Sequence, residues 1–202
     1  MSTHALILLG LALAAGADAG EHLLAGARHF REGRYTEALV EFRVAERMGD
    51  PDARPYAGAT LVKLGRPEEA LEAFGTGAAA GADALIAYYR ALACYDARLY
   101  LCADAQLAGV GERSGPRVAG EAARLRAEIA RALRGEPSTA AVDFYLARCE
   151  ALGRDRHPAA AAAFCREAEG LSGKRRDRYR RDEARKLLAG LTTRADAAEA
   201  RP

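Results

Sequence analysis

The chain has no tryptophan, and aromatic residues of all kinds make up only 6% of it. A core of large rings is therefore excluded, and packing must rest on Ala and Leu with Phe and Tyr as spacers. Long β-branched runs are absent while helix formers dominate, which argues for closely stacked helices and against a sheet. No apolar stretch approaches the roughly 20 residues that a membrane-spanning helix requires. A net charge of +2 is too small to imply a nucleic-acid partner. There is no C-x-x-C, and no His stands at ligand spacing from a Cys, so a zinc site is not expected. G-x-S-x-G, H-E-x-x-H, Walker A and G-x-G-x-x-G motifs are also missing. Catalytic residues, metals and cofactors are accordingly not expected, and the abundant Glu and Arg read as helix-surface charges. His22 and His29 share one helix face and read as packing or rim residues; His157, just before Pro158, reads as a turn residue.

What the chain does have is a recurring segment. Gly33-Arg34-Tyr35-Thr36-Glu37-Ala38-Leu39, Gly65-Arg66-Pro67-Glu68-Glu69-Ala70-Leu71 and Arg98-Leu99-Tyr100-Leu101-Cys102-Ala103-Asp104 follow one another at intervals of 32 and 33 residues between the alanines. Phe42, Phe74 and Leu107 come four residues after those alanines, and Ala45, Gly77 and Val110 three later still. Positions i, i+4 and i+7 share one helix face, so each segment opens a helix with a small residue beside a large apolar one. Gly26, Gly58 and Ala91 each precede the alanine by 12 residues, placing a matching small residue on the preceding helix. Small residues on both helices permit close approach.

This pattern resembles the tetratricopeptide (TPR) family of helical-hairpin repeats. The resemblance covers Gly20 to about Gly111, without the family's Trp and with the third turn lacking its Gly. It implies an all-α fold, a TPR-like superhelical solenoid of antiparallel helix pairs, with three hairpins over 20–113. Residues 114–191 read as degenerate repeats closed by a capping helix, with helices near 116–134, 138–152, 158–171 and 176–191. Ala160 and Phe164 mark the expected fourth hairpin, with its turn between Gly153 and Pro158. Residues 192–202 read as a flexible tail.

The first 19 residues read differently. Ala5 to Ala17 is an unbroken apolar run of 13, followed by Ala17-Asp18-Ala19. This fits a secretory signal peptide cleaved after Ala19, although the segment before the run holds no Lys or Arg. The expectation is a periplasmic or secreted protein that is not an integral membrane protein once the signal is removed. In an oxidising compartment Cys94, Cys102, Cys149 and Cys165 are candidate disulfide partners, with the local pairing 94–102 and 149–165 preferred among the three connectivities; four buried thiols acting as small apolar residues are the alternative.

In TPR proteins the first helices of successive repeats line a concave groove. By position, the resemblance implies Phe30, Arg31, Val62, Lys63, Tyr88, Leu92 and Tyr95 as groove residues for a peptide or helix of a protein partner. Lys174, Arg175, Arg176, Arg178, Arg180 and Arg181 form a basic patch on the last helix. The functional expectation is a non-enzymatic scaffold in a bacterial cell-envelope complex; the Ala, Gly and Arg bias points to a GC-rich genome. The alternatives are a cytoplasmic TPR regulator, or an accessory subunit that meets an anionic surface through the basic patch.

Overall fold

The computed structural model describes residues 18–76, 84–111 and 114–199. Apart from turns these residues are helical, with no strand among them. Helix α1 covers 18–31. It is followed by α2 (Tyr35–Arg47), α3 (Ala53–Lys63), α4 (Pro67–Phe74), α5 (Ala84–Asp96), α6 (Tyr100–Leu107), α7 (Pro116–Ala132), α8 (Thr139–Arg154), α9 (Pro158–Lys174) and α10 (Arg178–Glu199). The chain divides into two compact units between Arg66 and Pro67.

The turns explain the recurring segment. At Gly33 the backbone N–H donates to the Phe30 carbonyl at 3.1 Å, and the next N–H, of Arg34, reaches back to His29 at 2.9 Å. Gly65 and Arg66 repeat the pattern onto Val62 and Leu61, and Arg98 and Leu99 repeat it onto Tyr95 and Cys94. Such a helix stop needs one left-handed residue, and Gly33, Gly65 and Arg98 have φ of 76°, 69° and 62°. Arg98 adopts it despite its Cβ, at a cost of about 1–2 kcal/mol. The same turn recurs where the repeat had faded: Arg156 (φ 64°) and Arg176 (φ 57°) precede His157 and Asp177, whose N–H groups reach back to Leu152 and Ser172.

At Gly33, Arg98, Arg156 and Arg176 the turn fixes which residues meet across the hairpin. Seven residues before and nine after the left-handed position come face to face, a separation of 16. At the first turn these are Gly26 and Phe42: a Cβ on Gly26 would lie 2.7 Å from the Phe42 ring, which is 1% exposed. At the third they are Ala91 and Leu107, both fully buried. Around Arg156 they are Cys149 and Cys165, bonded to each other. Around Arg176 they are Glu169 and Arg185, an ion pair at 2.6 Å. The fourth hairpin is therefore shifted by one residue from the expected register. Ala161 and Cys165, rather than Ala160 and Phe164, are its equivalents, because α8 runs past Gly153 and Arg156 takes the turn position.

In the first unit α2 packs on α3, with Ala38, Phe42 and Ala45 buried. In the second, α5 packs on α4, α6 and α7, while α8, α9 and α10 form a three-helix set. α9 also packs on α4 and α6, far away in sequence. A purely linear stack has contacts only between neighbouring repeats. Gly170 permits the α6 contact, since a Cβ there would lie 2.6 Å from Leu101 Cδ1.

Two carboxylates secure this packing. Glu72 on α4 accepts hydrogen bonds from the N–H groups of Ala159 and Ala160, at 2.8 and 3.1 Å, in the first turn of α9. Glu167 on α9 accepts from Leu101 and Cys102, at 2.8 and 3.0 Å, in the first turn of α6. Each helix start receives the acceptor that its own N-cap residue lacks, since neither Leu99 nor His157 makes a side-chain cap bond. Arginines serve the opposite ends. Arg90 donates to the Phe74 and Gly75 carbonyls after α4, and Arg126 to the Leu107 and Val110 carbonyls after α6.

The last helix is longer than the sequence suggests. It continues to Glu199, so residues 192–199 are helical rather than a loose tail. Gly and Pro are absent from 191–199, which lets the helix run on past Leu191. Residues 200–202 lie outside the described residues.

Candidate functional site

The groove residues implied by the repeat pattern divide between the two units. In the first, Arg31 and Lys63 are exposed and Val62 is 9% exposed. Phe30 is half-buried and meets Tyr35 edge-on at 5.4 Å, which seals the α1–α2 turn. Arg31 bonds the Ala27 carbonyl of its own helix at 3.2 Å. His22 meets Glu41 at 2.6 Å, a tie between α1 and α2.

In the second unit, Tyr88 and Tyr95 are turned to α7. The Tyr95 hydroxyl donates to Glu128 at 2.8 Å, and that bond holds its phenol above the ordinary value. Burial, reinforced by Glu121, pushes the Tyr88 phenol up to about 12. Leu92 between them is half-buried. These tyrosines hold α7 against α5, so their polar tips are engaged within the chain.

The basic patch is also partly committed. Arg175 donates to the Pro137 carbonyl and to Thr139 Oγ1 at the start of α8. Arg180 binds Asp143 at 2.5 Å and Asp177 at 2.9 Å. Asp177 in turn accepts from the Arg180 N–H at 3.1 Å, which caps α10 and holds the Asp177 carboxyl below its ordinary range. Lys174, Arg176 and Arg178 remain exposed, and Arg181 is half-buried. Tyr179, 76% exposed, and Phe144, 56% exposed, are the most exposed aromatics of the second unit, one on α10 and one on α8.

Two charged residues that read in the sequence as helix-surface charges are buried. Glu167 is 1% exposed and Arg90 is 7% exposed. Glu167 lies three residues after Phe164 and four before Leu171, so a carboxylate on an otherwise apolar face was its sequence signal. Burial raises its carboxyl above the ordinary 4.5, outweighing the N–H bonds that favour the charged form.

Glu167 opens onto a pocket of about 280 Å³ between α4, α5, α6 and α9, lined also by Arg90, Cys94, Cys102 and Arg166. The sulfurs of Cys94 and Cys102 are 2.10 Å apart there, and those of Cys149 and Cys165 are 2.03 Å apart between α8 and α9. Among the described residues no group of three or more His, Cys, Asp or Glu side chains is placed to hold a metal, and no helix is long and apolar enough to cross a membrane. Residues 1–17, the bulk of the predicted signal, lie outside the described residues; Asp18 and Ala19 belong to α1, with Ala19 buried.

The chain matches no protein-family model, and comparison with curated proteins and with solved structures finds no significant match.

Proposed function

We propose that the protein is a non-enzymatic helical-repeat scaffold of TPR-like design, exported to a bacterial cell envelope, where it holds together partners in a multiprotein complex. The observation that carries this reading is the repeated hairpin with its constant cross-turn pair. Gly26 against Phe42, Ala91 with Leu107 and Cys149 with Cys165 share one spacing, although the residue types differ. A chain that keeps one hairpin geometry while varying its surface suits a binding framework. Two cysteine pairs at bonding distance favour an oxidising compartment.

Within this reading the open part of the groove is the first unit, where Arg31 and Lys63 are exposed. The third-copy tyrosines act as internal ties to α7 rather than as contacts for a partner. The anionic-surface alternative is narrowed to Lys174, Arg176 and Arg178, since Arg175 and Arg180 serve the fold.

Site-specific photocrosslinking in the native host tests the proposal. A crosslinking residue at Arg31 or Lys63 is expected to give one discrete protein adduct. The same residue at Arg117, whose side chain is 90% exposed on α7, is expected to give none. Equal adducts at all three positions, or none at any, would refute the groove. A mature chain beginning at Gly20 supports export, and one beginning at Met1 or Ser2 excludes it.

A further inference from the structure

We propose that Cys94–Cys102 is an exchange-competent disulfide, attacked at Cys102 Sγ by a dithiol that enters the pocket between α4, α5, α6 and α9, while Cys149–Cys165 is a permanent staple.

The four cysteines differ in access. Cys94 is 1% exposed, Cys149 1% and Cys165 0%; Cys102 alone is half-buried. Cys94 and Cys102 both line the 280 Å³ pocket, and Cys102 is the more exposed residue of the two. Cys149 borders a larger cavity of about 470 Å³ between α8 and α10, yet its residue is only 1% exposed and its partner Cys165 is fully buried. Thiol–disulfide exchange requires the attacking thiolate to approach a sulfur, so access separates the two bridges.

The charges around the pocket favour the same sulfur. Arg90 and Arg166 line it and attract an incoming thiolate. Cys102 is the third residue of α6, within the turn where helix N–H groups stabilise an anion. Glu167 occupies two of those N–H groups, including that of Cys102 itself. A carboxylate in that place competes with a Cys102 thiolate for the same donors and repels it. Glu167 thus biases the pair toward the disulfide.

A thiolate of the dithiol bonds to Cys102 Sγ; the Cys94–Cys102 bond breaks, and its electron pair leaves on Cys94 Sγ, which takes a proton from solvent. The second thiolate of the dithiol then attacks the mixed disulfide and releases Cys102. The dithiol ends as a disulfide and the protein pair as two thiols. Cys94 and Cys102 flank the turn at Arg98, where the Leu99 N–H bonds the Cys94 carbonyl at 2.8 Å, so reduction frees that turn from its covalent clasp.

The test uses the oxidised full chain under native conditions. It is treated with dithiothreitol or with reduced glutathione, quenched by alkylation, and mapped by mass spectrometry. Cys94 and Cys102 are expected to become alkylated at least about tenfold faster than Cys149 and Cys165. The glutathione adduct is expected on Cys102. Equal rates for the two bridges, opening only in denaturant, or an adduct on Cys94 would overturn the proposal. In a fixed glutathione buffer Glu167→Gln is expected to raise the reduced fraction of the 94–102 pair several-fold; an unchanged or lower fraction would remove Glu167 from the scheme.

Discussion

Glu72→Ala tests the contact that draws a distant helix onto α4. Its carboxylate accepts two N–H groups from the start of α9, at 2.8 and 3.1 Å, both at the same oxygen. The donor residues Ala159 and Ala160 are 8% and 0% exposed, so water cannot replace the acceptor freely. Loss of an ordinary N-cap costs about 0.5–2 kcal/mol. Hydrogen bonds to a charged group contribute about 1.5–3 kcal/mol, and a buried donor left unpaired costs about 1–3 kcal/mol. With Glu72 itself half-buried, we expect a loss of about 2–3 kcal/mol, which lowers Tm by about 5–10 °C. Glu72→Gln keeps a single oxygen able to accept both bonds and removes only the charge, so its loss is expected to stay below about 1 kcal/mol. Urea denaturation followed by circular dichroism measures both, with Glu150→Ala as the surface control. A loss below about 0.5 kcal/mol for Glu72→Ala would show that the tie between α4 and α9 does not depend on this cap.

Gly26→Val places carbon where the Phe42 ring already stands, and a loss of about 1–3 kcal/mol in the first unit is expected by urea denaturation; no loss would mean that this pair is not tightly packed. Glu167 gives a pH signature. Its folded-state value is raised above 4.5, so its contribution is fully present below that pH and is lost as pH rises through the folded value. The stability difference between wild type and Glu167→Gln is therefore expected to move against wild type from about pH 4 to about pH 8, and a constant difference would refute it. Removing the 149–165 bridge by replacing both cysteines with Ala is expected to cost about 3 kcal/mol in denaturation experiments, from the loop it closes. Tyr88 and Tyr145, each pushed up to about 12 mainly by burial, are expected to ionise last in an ultraviolet titration; early titration of every tyrosine would contradict the α5–α7 contact and the Tyr145 bond to the Arg98 carbonyl.

Local chemistry was legible in the chain because it acts over one or two turns. The missing Trp, the Ala and Leu content and the Gly-Arg turn point to helices, and Ala38, Ala70 and Ala103 are all fully buried. Helix starts at Pro67, Pro116 and Pro158 follow from the fixed φ of proline at the first helical position. The fourth hairpin was harder to place, since an arginine took the left-handed position that glycine marks elsewhere.

The tertiary structure alone decided what α9 does. Its contacts with α4 and α6 join residues more than 60 positions apart, through Glu72, Glu167 and Gly170. Helical periodicity places a residue on a face but does not say which distant face it will meet, and a glutamate on a helix looks the same whether it meets water or another helix's N–H groups. The same limit applies to Tyr88 and Tyr95. By position they belonged to an open groove, and only the arrival of α7 turned them inward. The sequence by itself determined the hairpin and its constant spacing, because backbone sterics and side-chain size act locally. Which charges are buried, and which cysteine stays within reach, depended on distant helices coming together.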